Sequence, residues 1–225
     1  AVIIVPWWLY LRYGDMRILE EQYPSMQAWL AYALSQADED LIWRPSFHFG
    51  DWLAETETSS DLIATAYLAH SANLMSSIAS VLGLESDASE YASLFERVRN
   101  GFQGEFIDLF GSLRHESQTG YVLALRFDLI PDEDRGRALE SLVRDIGRRD
   151  THLSTGLLGT SHLCPVLTAG DRADVAYDLL FQTTAPSWLF PVLAGATTMW
   201  EQWRGIEDGV FAPAGMNSLN HYARG

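Results

Sequence analysis

The sequence predicts an all-α fold of paired helices, arranged as a helical toroid or a solenoid. Three observations support this prediction. Apolar residues recur at helical spacing along most of the chain, capping residues, glycine or proline separate the segments, and no stretch alternates convincingly as a strand would. The segments are about ten to twenty residues long, which is typical of globular helices, and long and short loops alternate between them. No fixed period is present, which argues against an ordinary repeat array.

Four helices are predicted in the first half of the chain, and each has a recognisable start or end. Residues 1–13 are apolar and end at Gly14-Asp15, and Asp15 is placed to cap the second helix. Pro24 is expected to kink or split that second helix. The third runs from about Ser60 to Gly83, and Asp87 with Glu90 resembles a capping box that starts the fourth.

The second half of the chain contains shorter segments of the same kind. Pro131 separates the first two, Gly147 closes the second of these, and Gly170 closes the third. Short β pieces are a further option in the loop at 152–158. The predicted helices lie at residues 119–129, 134–147, 161–169, 171–181 and 191–203, with another from Met216 onward.

Charge and composition exclude several classes of function. The chain has 30 acidic and 15 basic residues and a net charge of −15, so no basic stripe is available for a nucleic-acid backbone, and a neutral ligand is expected. Cys164 is the single cysteine, which excludes a disulfide within the chain. We find no membrane-span pattern, no signal-peptide pattern and no metal or nucleotide motif. We therefore expect a cytoplasmic protein with no metal, no cofactor and no membrane partner.

Glu201 is the candidate catalytic residue, because it stands between Trp200 and Trp203 after a small and polar turn. A carboxylate walled by indoles is a common way to place a base beside a pyranose ring, since aromatic faces pack on the C–H faces of sugars. The alternative is an amphipathic helix, with both tryptophans in the core and Glu201 in solvent.

Two further segments contain candidate sugar-binding residues. In the aromatic loop at 47–52, Trp52 is placed to stack on a sugar and Asp51 to accept hydroxyl hydrogen bonds; the alternative is a packed loop in which Asp51 caps a helix. In the segment at 217–222, His221 is placed to donate to a ligand hydroxyl, and the alternative is a core histidine.

Together and in this order, these segments resemble the bacterial α-L-rhamnosidases of glycoside hydrolase family 78. The similarity spans nearly the whole chain. Its most specific parts are Trp-Glu-x-Trp at 200–203 and the Asn-His-Tyr-Ala segment at 220–223. Gln202, often Arg in the family, and Leu189, commonly Gly, depart from the family pattern. The other landmarks are Val5-Pro6-Trp7, Tyr13-Gly14-Asp15, Tyr23-Pro24-Ser25-Met26, Gly50-Asp51-Trp52, Leu153-Ser154-Thr155-Gly156, Pro186-Ser187-Trp188 and the start of the Glu201 segment at Gly195.

The resemblance implies an (α/α)6 barrel and inverting hydrolysis of terminal α-L-rhamnosides. It implies that Glu201 is the general base and that Trp52 and His221 contact the rhamnose. Trp188, from the Pro-Ser-Trp landmark, is assigned to the substrate site as well, with Trp200 and Trp203 and with Asp51.

The same resemblance implies that the chain carries only part of the site. The family's general acid is a Glu in an Asp-Glu-Arg type motif upstream of what is Ala1 here. Residues 1–225 are therefore expected to form part of one (α/α)6 catalytic domain, truncated at both ends, without flanking β-sandwich domains and inactive alone. The alternatives are another (α/α)6 glycosidase, trehalase-like or glucosidase-like, or an inactive helical carbohydrate-binding domain.

Overall fold

The computed structural model describes residues 1–207, 210–211 and 218–221, and these residues are predominantly helical. The chain divides into two compact units, of which the first comprises residues 1–48 and 60–107 and the second comprises 49–59 and 108–225. The helices are α1 (Ile4–Tyr13), α2 (Arg17–Ser35), α3 (Ser60–Val81), α4 (Glu85–Phe106), α5 (Gln118–Arg126), α6 (Arg135–Arg148), α7 (Leu157–Ala169), α8 (Ala173–Phe181) and α9 (Leu189–Leu193).

The first unit is centred on α3, which is buried along most of its length and packs against α1, α2 and α4. Its alanines allow close helix packing, and α4 crosses the turn after α2 so closely that a Cβ at Gly101 would lie 2.1 Å from the Asp40 carbonyl oxygen. Asp87 does not start α4 as expected. Its carboxylate accepts a hydrogen bond from the Tyr23 hydroxyl at 2.7 Å, and the helix begins two residues earlier, at Glu85.

Helix α2 decides between continuity and a split at Pro24. The helix is continuous from Arg17 to Ser35 with Pro24 inside it, so the proline does not split it. Asp15 does lie at its start, where the carboxylate accepts the Arg17 amide at 3.0 Å. The side chains of Leu19, Tyr23, Met26, Leu30 and Ala33 are buried, which is the periodic face that the sequence predicts.

The same turn follows α2 and α4. After α2, one Asp38 carboxylate oxygen accepts the amides of residues 40 and 42, at 3.1 and 2.9 Å, while the Asp38 amide donates to Ile42 at 3.0 Å. After α4, Asp108 accepts the amides of residues 110 and 112, at 2.8 and 3.0 Å, and its amide donates to Ser112 at 2.8 Å. These backbone hydrogen bonds lower the pKa of Asp108. The repeated turn shows a structural repeat that the sequence did not reveal.

The second unit is centred on α5, which packs against both α6 and α7 and is buried from Gln118 to Leu125. Helix α7 starts at Leu157, four residues before the predicted start, and α8 follows after Gly170. A two-stranded antiparallel hairpin of β1 (Ile206–Glu207) and β2 (Val210–Phe211) lies near the end, and residues 152–158 form no strand.

The predicted helix at 191–203 is wrong in most of its length. Helix α9 ends at Leu193, and Gly195 adopts a left-handed conformation with φ of 88°, so residues 194–203 continue as loop and turn. The helix predicted from Met216 lies partly outside the described residues, and residues 218–221 are not helical. Within the described part of the chain, no helix is both long enough and apolar enough to cross a membrane.

Candidate active site

Glu201 lies in the loop after α9, and both oxygens of its carboxylate accept hydrogen bonds from the second unit. Oε1 accepts from the Trp52 indole Nε1 at 3.2 Å, and Oε2 accepts from the Ser218 amide at 2.8 Å. The side chain is half-buried. Glu201 is thus neither free on the surface nor on the helix of the alternative interpretation. Its orientation is fixed by two donors that lie far from it along the chain.

The segment around His221 lies beside the Glu201 segment. The Glu201 amide donates to the Ser218 carbonyl and the His221 amide to the Met199 carbonyl, each at 2.8 Å. The Thr198 hydroxyl also bonds to the Leu219 carbonyl. The structure therefore brings together the two segments that carried the most specific resemblance, and it places a half-buried His221 next to the loop of the carboxylate.

The carboxylate of Asp51, a predicted sugar ligand, is surrounded by hydrogen-bond donors of the protein. The residue is only 7 % exposed, and its carboxylate accepts the amides of Gly156 and Leu158, both at 2.6 Å. The Thr119 hydroxyl donates to it as well. This geometry supports the alternative interpretation, in which Asp51 caps a helix. The capped helix is α7, about a hundred residues further along the chain, and not one that follows the loop.

The four candidate tryptophans fall into two groups. Trp200 and Trp203 are 3 % and 2 % exposed and belong to the core of the second unit, where Trp200 packs so close to Gly205 that a Cβ there would lie 2.9 Å from the indole. Trp52 and Trp188 are half-buried. Trp188 meets Trp203 edge to face, with centroids 5.5 Å apart. The more accessible indoles are thus Trp52, which donates to Glu201, and Trp188, which contacts Trp203, while Trp200 and Trp203 are buried beneath the loop of Glu201.

An ion pair borders an open depression of about 250 Å³ beside this loop. The guanidinium of Arg204 contacts the Glu55 carboxylate at 3.3 Å and donates to the Ala185 carbonyl at 3.1 Å, so it joins the loops that carry Trp52 and Trp188. Glu57 is exposed. The depression is lined by Leu53, Ala54, Glu55, Gln202, Trp203 and Arg204.

Sequence reasoning missed three residues that build this region. Ser218 lies in the segment at 217–222 that was predicted to carry His221, but it was given no role, although its carbonyl accepts from the Glu201 amide and its own amide donates to the Glu201 carboxylate. Thr119 and Arg204 had no sequence signal, because the partners of each are brought to it by the tertiary fold. Among the described residues, no group of three His, Cys, Asp or Glu side chains could hold a metal ion.

Comparison with known proteins assigns this architecture to a family. The profile of the bacterial α-L-rhamnosidase six-hairpin glycosidase domain matches residues 1–225. An α-L-rhamnosidase of Streptomyces avermitilis is 48 % identical over 227 residues, covering 100 % of this chain and 22 % of that protein. An α-L-rhamnosidase of an Alteromonas species is 42 % identical over 240 residues, covering 100 % of this chain and 26 % of that protein. The chain thus spans about a quarter of the length of these curated relatives.

Solved structures give the same result for the fold. The crystal structure of the Streptomyces avermitilis α-L-rhamnosidase complexed with L-rhamnose superposes with a TM-score of 0.94 at 47 % identity, over 99 % of this chain and 22 % of that one. The native α-L-rhamnosidase from Aspergillus terreus gives 0.95 at 34 % identity, over 99 % and 27 %. The fold class is the expected one, an all-α chain with part of an (α/α)6 barrel.

Proposed function

We propose that this chain forms part of the catalytic domain of an inverting hydrolase that releases terminal α-L-rhamnose. The chain belongs to the bacterial α-L-rhamnosidase six-hairpin glycosidase family, and this membership is the basis of the proposal. The Streptomyces avermitilis relative was crystallised with L-rhamnose, and its fold is shared over 99 % of this chain. The net charge of −15 is consistent with a neutral sugar as ligand.

The position of Glu201 is the observation that carries this proposal. Its half-buried carboxylate is held by the Trp52 indole and the Ser218 amide, and such anchoring fixes the direction in which a base accepts a proton. In the proposed reaction, Glu201 takes a proton from a water molecule. That water attacks the anomeric carbon from the face opposite the leaving oxygen, so the configuration of the sugar inverts.

The half-buried residues around the base supply sugar contacts in this proposal. Trp52 and Trp188 offer apolar faces to the C–H side of a pyranose, and His221 donates to a hydroxyl. Trp200 and Trp203 hold the Glu201 loop from the core instead, because they have almost no exposed surface. Asp51 acts on the loop rather than on the sugar, since both its oxygens already accept protein hydrogen bonds.

The general acid belongs, in this proposal, to a part of a longer protein outside these 225 residues. An inverting site places the acid and the base about 6.5–9.5 Å apart. Two acids of the Trp52 loop are otherwise engaged, because Asp51 caps α7 and Glu55 pairs with Arg204. In this proposal, the longer protein therefore supplies the general acid.

The test uses a protein of the relatives' length that contains this chain, with an aryl α-L-rhamnoside as substrate. Glu201→Gln keeps the shape of the side chain and removes its basicity, so kcat should fall by about 10²–10⁴-fold. Glu57→Gln is the matched control, an exposed acid whose loss should leave kcat unchanged. Proton NMR of the first product should show β-L-rhamnose, the product of inversion.

Four results would contradict parts of the proposal. Unchanged turnover in Glu201→Gln would remove the base assignment. Initial release of α-L-rhamnose would show a retaining mechanism. Faster hydrolysis of an α-glucoside than of the α-rhamnoside would assign the protein to another type of (α/α)6 glycosidase, and sugar binding without turnover of either would assign it to an inactive binding domain.

A further inference from the structure

We infer that Asp51 is a positioning residue, which fixes Trp52 on the start of α7 and, through the Trp52 indole, orients the carboxylate of Glu201. This inference rests on the proposed role of Glu201 as the base. It assigns to Asp51 a function that is neither sugar binding nor general helix stability.

The start of α7 is the feature that holds Asp51. The first amides of a helix have no partner within the helix and need acceptors from elsewhere. In α7, the amides of Leu158 and Gly159 donate to Asp51 Oδ1, at 2.6 and 3.4 Å, and the amide of Leu157 donates to the Trp52 carbonyl at 3.0 Å. All three amides of the first turn are thus taken by Asp51 and Trp52, and the negative carboxylate lies at the positive end of the helix dipole.

The other carboxylate oxygen of Asp51, Oδ2, also accepts hydrogen bonds from the protein. Oδ2 accepts the amide of Gly156 at 2.6 Å and the hydroxyl of Thr119, which lies on α5. A Cβ at Gly156 would lie 2.3 Å from the Trp52 carbonyl oxygen, so the loop backbone lies directly against the helix start. The backbone of residues 51 and 52 is therefore fixed by two helices at once.

Trp52 transmits this position to the base. Its backbone is fixed on α7, its ring meets Phe49 edge to face with centroids 5.9 Å apart, and its indole N–H donates to Glu201 Oε1 at 3.2 Å. A movement of the Asp51 backbone would move the indole and change the geometry of that hydrogen bond. Asp51 thereby acts on the base without touching the reacting atoms.

Asp51→Asn is the variant that tests this inference. The amide has nearly the same shape, but its NH2 group would face backbone N–H donors, which removes the acceptor on that side. Glu57→Gln is the matched control, since it changes an exposed carboxylate of the same loop. Thr119→Val is a second and milder variant, which removes a single donor to Asp51 should Asp51→Asn fold poorly.

Two measurements on the longer protein separate positioning from structural support. The first is a double-mutant cycle in kcat with Trp52→Phe. Asp51→Asn should lower kcat roughly 10- to 100-fold, the range for a lost hydrogen bond to a charged group, but by less than about threefold when Trp52 is already Phe. A merely structural role would lower kcat by the same factor in both backgrounds, because it would only reduce the amount of active protein.

The second measurement does not depend on turnover. In protein labelled with 5-fluorotryptophan, the ¹⁹F resonance of Trp52, assigned from its loss in Trp52→Phe, should move in Asp51→Asn and in Thr119→Val and stay in place in Glu57→Gln. An unmoved resonance, or equal kcat factors in both backgrounds, overturns the inference. A moved resonance in a protein that hydrolyses no rhamnoside supports the placement of Trp52 by Asp51 and rejects the proposed function instead.

Discussion

Replacing Gly156 with alanine tests whether the loop of Trp52 lies directly on the start of α7. Gly156 precedes α7 with φ −93° and ψ −153°, an extended conformation with negative φ, so the left-handed backbone that favours glycine is not involved. Any effect of Gly156→Ala must therefore come from the added methyl group. That group would lie 2.3 Å from the Trp52 carbonyl oxygen and 2.5 Å from the Asp51 carbonyl oxygen, both of which are backbone atoms.

The magnitude follows from what must move. Relief of the contact requires the loop to retreat by roughly 1 Å, to ordinary van der Waals distance. Overpacking of this kind costs about 1–3 kcal/mol. Retreat of the loop also breaks the hydrogen bond from the Leu157 amide to the Trp52 carbonyl, which costs about 1 kcal/mol. The alanine recovers up to about 1 kcal/mol by restricting the unfolded chain, so we expect a net loss of about 1–4 kcal/mol.

Thermal unfolding followed by far-UV circular dichroism provides the assay. For a domain of this size, each kcal/mol lowers the Tm by about 2–4 °C. Gly104→Ala is the control, because Gly104 lies inside α4 with open space where the methyl group would go, and it should raise stability by about 0.4–1 kcal/mol. A Tm of Gly156→Ala equal to or above that of the wild type would refute the packing of this loop on α7.

Two further predictions concern the sugar wall and the effect of pH. Trp52→Ala should weaken L-rhamnose binding by about 1–3 kcal/mol, measured by isothermal titration calorimetry, with the circular dichroism spectrum unchanged; global unfolding would instead show that Trp52 is a core residue. Burial, with the charge of Arg126 as a smaller cause, lowers the pKa of His162 below its ordinary 6.5. Below pH 6.5 the unfolded state therefore binds the proton more readily, and stability falls as pH falls. His162→Gln should make urea unfolding midpoints less sensitive to pH between about 7 and 5, and an unchanged slope would contradict this assignment.

Most helices follow from local sequence signals. Apolar periodicity located α2 and α3, and the glycines at 14 and 83, which take positive φ of 68° and 73°, marked the ends of α1 and α3 within a few residues. These signals are local, because the backbone hydrogen bonds of a helix are made within the helix itself, and a glycine in the left-handed conformation ends the helix at its own position. The segments that resemble the rhamnosidase family are likewise short, and they can be read without any knowledge of the fold.

The candidate site depended on the tertiary structure. The i, i+3 spacing of Trp200 and Trp203 is compatible with a helix, yet both indoles are buried in a loop, because burial can be supplied by neighbours that the local pattern does not contain. Asp51 shows the same limit. Its sequence allowed a sugar ligand or a helix cap, and the decision came from α7, about a hundred residues away.

The sequence by itself thus determined the fold class, the family and the identity of Glu201, Trp52 and His221 as candidates. Only the tertiary structure decided their arrangement: Trp52 and Ser218 hold Glu201, Trp200 and Trp203 lie in the core, and Asp51 holds the loop to α7. The physical reason is that hydrogen bonds between distant segments depend on how helices pack, while periodicity and capping depend only on neighbours along the chain.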